Sequence, residues 1–69
     1  MSYGENLKAA REKAGYSTRE LARRVSCSER SIKYYEMTGR KPSLSLAVLI
    51  AQTLYTTVEE MMRERDDEE

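Results

Sequence analysis

Residues 17–36, running Ser17-Thr18-Arg19-Glu20-Leu21-Ala22-Arg23-Arg24-Val25-Ser26-Cys27-Ser28-Glu29-Arg30-Ser31-Ile32-Lys33-Tyr34-Tyr35-Glu36, read as two short helices joined by a tight turn. Ser17 followed by Glu20 has the spacing of a capping box, in which the hydroxyl accepts from the Glu20 amide and the carboxylate reaches back to the Ser17 N–H. Tyr16 and Leu21 stand at the positions of a hydrophobic staple across that start. Leu21, Ala22 and Val25 recur at helical spacing and give the first helix one apolar face. Ser28 supplies an N-cap for the second helix, with Cys27 before it and Ile32 at the staple position. Around that second helix Ile32 and Tyr35 point one way, while Arg30, Lys33, Tyr34 and Met37 cluster on the other side. A short helix with an apolar back and an Arg/Lys/Tyr front, braced by a neighbouring helix, has the form that enters the DNA major groove.

Outward from this centre the chain stays helical. Residues 4–14 are expected to form a helix with Leu7, Ala10 and Ala14 on one face, ended by Gly15 where a left-handed residue is wanted. Thr38-Gly39-Arg40-Lys41-Pro42 is a loop, because Gly39 permits positive φ and Pro42 stops either neighbouring helix. Ser43 then caps a helix of residues 44–55, of whose twelve side chains nine are apolar or aromatic. Ile50, Leu54, Ala47, Ala51, Leu44, Tyr55 and Val48 form one broad arc, expected to face the core. Leu46 and Leu49 fall on the opposite arc. Thr57 and Glu60 suit a second capping box, opening a last helix in which Val58, Met61 and Met62 face inward. The expectation is an all-α, compact five-helix bundle over residues 4–63 with the helix-turn-helix at its centre. Residues 64–69 form an acidic tail with the composition of a disordered segment. No repeat, linker or second domain is visible.

Sixty-nine residues make one domain, near the lower limit for folding on an apolar core alone. At 39% hydrophobic and 35% charged, the chain has little apolar material to spare, which favours oligomerisation. Its formal net charge of zero conceals an asymmetry. Residues 1–43 hold ten Lys and Arg against five Asp and Glu, whereas residues 44–69 hold two against seven. A nucleic-acid-binding face followed by an acidic end produces such a division; uneven sampling in a small charged protein is the plainer alternative. With one cysteine and no histidine, neither an internal disulfide nor the usual Cys/His zinc site can be assembled, and no cofactor is expected. No apolar run is long enough for a membrane span, and the first residues lack the regions of a signal peptide, so a cytoplasmic protein is expected.

The ordered set Leu7, Arg11, Gly15, Ser17, Glu20-Leu21-Ala22, Ser28, Ile32, Glu36 and Pro42-Ser43-Leu44 resembles the Xre/Cro-type helix-turn-helix family, which includes the lambdoid phage repressors. The likeness runs without gaps from about Leu7 to Met62. Thr18 stands where that family usually has Gln, Ser26 where it has Gly in the turn, and Tyr55 where it ends a helix with Gly. The run Arg30, Lys33, Tyr34-Tyr35-Glu36 is instead similar to the recognition helix of the MerR family, a likeness that ends at Glu36. The resemblance implies a lambda repressor-like fold and a partly buried bridge between Arg11 and Glu36, which otherwise are two ordinary solvated charges. It also implies that Ser28, Glu29, Arg30, Lys33 and Tyr34 meet base edges and phosphates, Lys33 a guanine or a phosphate and Tyr34 a phosphate or a thymine methyl. Arg30 is suited to guanine O6 and N7, and Glu29 to a cytosine amino group unless it is only a favourable charge at the helix start. Thr18, Arg19, Arg40 and Lys41 are phosphate candidates. Arg23 and Arg24 read as solvated, and Cys27 as a small buried side chain at the turn.

Three classes of function follow. The first is a sequence-specific regulator binding double-stranded DNA, repressor-like and homodimeric on a palindromic operator. The alternative is an antitoxin or other protein-interaction module on the same fold, with a toxin or other protein as partner. An enzyme is not expected, since no histidine, activated nucleophile or phosphate loop is present. Leu46 and Leu49 are the expected dimer face, with Met62 and the last helix as the competing site.

Overall fold

A computed structural model describes residues 2–63 and contains five helices: α1 (Tyr3–Ala14), α2 (Thr18–Arg24), α3 (Glu29–Thr38), α4 (Leu44–Thr53) and α5 (Val58–Met62). The acidic segment 64–69 lies outside the described residues. Every helix begins on a hydroxyl that accepts from the amide three residues on: Ser2, Ser17, Ser28, Ser43 and Thr57. α1 starts one residue earlier than expected, because Ser2 and Glu5 make a reciprocal capping box, with bonds of 3.0 and 3.2 Å. The boxes expected at Ser17 and Thr57 are only half made. Glu20 turns its carboxylate to Arg23 and Arg24, and Glu60 turns to Arg63, rather than back to the cap.

α3 packs on both α1 and α2, α5 packs on α1 and α4, and α4 touches α2. Leu7, Leu21, Ile32 and Ile50, one from each of the first four helices, are fully buried, and Met61 of α5 joins them. Burying each such side chain contributes about 1.5–3 kcal/mol. Asn6 fastens the far end, donating to the carbonyls of Met61 at 2.7 Å and Arg63 at 2.8 Å.

α4 departs from the expected arc. Ala47, Ile50, Ala51 and Leu54 are buried, but Leu44 is 73% exposed, and Val48 and Tyr55 are exposed as well. Leu46, assigned to the outer arc, is instead partly buried against the core. The physical reason is that among the described residues α4 packs chiefly on α2 and α5, so a stripe of ordinary width is buried and the surplus apolar residues stay outside. Of the expected dimer face, Leu46 and Met62 pack on their own core and Leu49 remains exposed.

The bend that joins α2 to α3 recurs between α4 and α5. Val25 (φ −104°, ψ 9°) and Leu54 (φ −96°, ψ 10°) close their helices. Ser26 and Tyr55 follow in the left-handed region, at φ 60° and 61°. The next amides, of Cys27 and Thr56, donate back to Ala22 and Ala51 at 3.0 and 2.9 Å, and Ser28 and Thr57 then cap. Each non-glycine left-handed residue costs roughly 1–2 kcal/mol. This local repetition was not expected.

Tyr3 is buried, and its hydroxyl has no hydrogen-bond partner among the described residues. Burial, aided by nearby Tyr35, pushes its phenol up to about 12. The folded protein therefore holds this proton more tightly than the unfolded chain, whose tyrosines titrate near 10. The stability linked to it is complete below pH ~10 and is lost as pH rises through about 12. Denaturant titrations at pH 9 and 11 should show that loss in the parent and a smaller one in Tyr3→Phe, which at pH 7 should be neutral or slightly stabilising.

Candidate nucleic-acid interface

The candidate interface starts with the placement of α3. Arg11 of α1 grips Glu36 with two bonds, Nε to Oε2 at 2.6 Å and Nη2 to Oε1 at 3.2 Å, and donates a third from Nη1 to the Tyr16 carbonyl at 2.8 Å. Both charged side chains are about nine-tenths buried, at 11% and 9% exposure. The Glu36 carboxylate raises the pKa of Arg11 further, so the guanidinium stays charged. One side chain thus ties α1 to α3 and to the entry of α2.

A second tie had no signal in the sequence reading. At Gly4 a Cβ would overlap the Glu36 carbonyl oxygen and lie 2.7 Å from that of Tyr35. The backbones of α1 and α3 approach so closely there that only hydrogen fits. On the other flank of α3, Tyr35 packs against the core and meets the Tyr34 ring edge-on, with centroids 6.0 Å apart.

With its back held, α3 exposes Arg30, Lys33, Tyr34 and Met37. Arg30 has no carboxylate within ion-pair distance among the described residues, nor have Arg19, Arg40 or Lys41. Arg40 and Lys41 lie in the loop after α3, where Gly39 closes the helix at φ 76° and the Thr38 hydroxyl accepts from the Arg40 amide at 3.1 Å.

Other expected site residues are already engaged. The Ser28 hydroxyl serves as cap, accepting from the Ser31 amide at 3.1 Å, and shares a bond with the Ser31 hydroxyl. Thr18 donates its hydroxyl to Glu29 Oε2 at 2.8 Å, so the start of α2 is bonded to the start of α3. The same oxygen lies 3.5 Å from Lys33 Nζ. The Thr18 bond, then Lys33 and Arg19, hold the Glu29 carboxyl below its usual range. Arg24 pairs with Glu20 and stacks over the Tyr16 ring, its guanidinium carbon 4.7 Å from the centroid. Cys27 is partly buried, and burial pushes its thiol up, away from the reactive thiolate.

The groove between α1 and the second bend, about 350 Å³ and bordered by Lys13, Tyr55 and Glu60, contains none of these residues. Among the described residues no group of three His, Cys, Asp or Glu is placed to hold a metal ion, and no helix is long and apolar enough to cross a membrane.

The family model described as "Helix-turn-helix domain" matches residues 2–64. The chain is 31% identical over 67 residues to the HTH-type transcriptional regulator ImmR of Bacillus subtilis (strain 168), a match covering 97% of this chain and 52% of that protein. The chain therefore spans about half the length of that curated relative. Hydroxypropylphosphonic acid epoxidase from S. wedmorenis aligns with a TM-score of 0.80 over 88% of this chain and 32% of that one, at 22% identity. The FeII form of HppE with substrate gives 0.81 over 96% and 40%, again at 22% identity. Those two likenesses concern the fold alone. By the matched family model and the arrangement of α2, bend and α3, the chain belongs to the helix-turn-helix domain family and is of the Xre type.

Proposed function

We propose that this chain is the sequence-specific DNA-binding part of a transcriptional regulator, repressor-like and cytoplasmic, which reads the major groove of a double-stranded operator with the outer face of α3. The observation that supports this most directly is Arg30: exposed, without a carboxylate partner among the described residues, and set on a helix whose position Arg11 and Gly4 fix from behind. Arg30 and Tyr34 meet bases, Lys33 a base or a phosphate, and Arg19, Arg40 and Lys41 meet phosphates. Thr18 and Ser28 serve their internal bonds first. The relative named as a transcriptional regulator points the same way.

Pairing of two chains across a palindrome accompanies this reading, since one α3 covers few base pairs and a two-fold dimer sets two of them about 34 Å apart. Leu44, Val48 and Leu49 favour such a surface: all three are exposed on α4, a helix without a single charged residue. The same uncharged face supports the second reading, a protein-interaction module such as an antitoxin.

Enrichment of duplexes from a randomised pool, followed by salt-dependent titration, tests the DNA reading. Arg30→Ala should lose about 1–3 kcal/mol on the selected site and relax preference at one base pair. Lys41→Ala should weaken all sequences alike and lower the salt slope by about one. Equal losses on selected and random DNA for Arg30→Ala reject its base-reading role.

A further inference from the structure

A carboxylate stands among the cations where a polyanion would be met. Glu29 Oε2 accepts from Thr18 at 2.8 Å and lies 3.5 Å from the Lys33 ammonium, while no donor among the described residues reaches Oε1. The side chain is 40% exposed, so the second oxygen is open to a ligand. Held on one oxygen by a residue of α2 and one turn of α3 away from Lys33, the group has a fixed direction rather than a swinging one.

Its charge has two consequences for a duplex. It repels phosphate, and it occupies the Lys33 ammonium and the Thr18 hydroxyl, two groups that otherwise draw DNA of any sequence. Its open oxygen only accepts hydrogen bonds. In the major groove the donors are cytosine N4 and adenine N6, whereas guanine O6 and N7 and thymine O4 present lone pairs to it. A neutral amide of the same shape is able to turn and donate, and so tolerates either kind of edge.

We propose that Glu29 is a specificity-determining residue that acts by exclusion: a carboxylate braced by Thr18 and Lys33 that admits an amino-bearing base opposite the start of α3 and lowers affinity for every other sequence. This rests on the reading of α3 as the groove-entering helix. It differs in sign from Arg30. Losing Arg30 forfeits an attraction, whereas losing the Glu29 charge removes a repulsion, and specific recognition commonly uses both.

The test uses the full chain with Glu29→Gln and Thr18→Val, each checked for helix content by circular dichroism. Each protein is titrated against a random-sequence duplex over a salt series and then put through enrichment from a randomised pool. Glu29→Gln should bind the random duplex roughly 2- to 5-fold more tightly, the scale of one half-exposed charge interaction. Its salt slope should steepen by about one as Lys33 is released, and one base pair of the enriched site should lose its preference. Thr18→Val keeps the charge but frees its direction, so the random duplex should still bind more weakly than to Glu29→Gln while the same base pair becomes less defined. A Glu29→Gln protein whose random-duplex affinity and enriched site match the parent's, or whose affinity falls on both, overturns the proposal alone. A parent that binds no duplex overturns the DNA reading and the proposal together.

Discussion

Arg11→Met is expected to destabilise the fold by about 3–5 kcal/mol, because it leaves the Glu36 carboxylate inside the protein without the two bonds that neutralise it. Stabilities of whole domains are only about 5–15 kcal/mol, so urea unfolding at 25 °C should show a much reduced midpoint. Arg11→Lys should fall between, since an ammonium keeps the charge but cannot reproduce a fork that also holds the Tyr16 carbonyl. The informative variant is the double one. Arg11→Met with Glu36→Leu removes both charges, and a buried pair is often no more stabilising than apolar residues of similar size. Most of the lost stability should therefore return, while the start of α2, no longer tethered through Tyr16, should exchange its amides faster. A single variant costing less than ~1 kcal/mol would mean that the carboxylate finds water or another partner.

Gly4→Ala is the second large effect. The added methyl meets the carbonyls of Glu36 and Tyr35, which belong to the backbone of α3 and cannot rotate aside. Overpacking of this kind costs about 1–3 kcal/mol, and the upper end is expected where the obstacle is main chain. Alanine's better helix propensity returns less than 1 kcal/mol, since the position is in the first turn. The measurable signature is a lower urea midpoint together with a displaced α3, seen as amide shift changes around Tyr35–Met37. Gly15→Ala provides the contrast: nothing lies within 4 Å of its added carbon, but φ is +83°, so its cost is conformational and should leave α3 where it is.

The helix starts were legible in the sequence because a cap is a local matter. A hydroxyl and an amide three residues apart meet whatever the rest of the chain does, and Ser17, Ser28, Ser43 and Thr57 all behave so. Ser2 with Glu5 carries the same local signal. The contact of Arg11 with Glu36 was reachable only through family likeness, since composition and periodicity place both at the edge of a face without pairing them. What stayed illegible depends on distance between elements. Gly4 looks like any glycine at a helix start until α3 is laid across it. The bond from Thr18 to Glu29 exists only because the bend brings two helix starts together. On α4 the apolar residues outnumber what two neighbours can cover, so the wheel placed Leu44 inward and Leu46 outward, and the structure has the reverse.

The bend used twice has a consequence for how such a molecule changes over generations. In both uses the side chains that make it are the inner ones: Ala22, Val25 and Ile32 in the first, Ala51, Leu54 and Met61 in the second, with a hydroxyl cap in each. What the following helix carries outside is independent of the bend, Arg30 and Lys33 in one case and Glu59 in the other. Inheritance can therefore rewrite the outer face of α3 one residue at a time without disturbing the inner set. Folding and the proposed reading of DNA fall on separate letters of the same short word, and a lineage is free to revise the second while keeping the first.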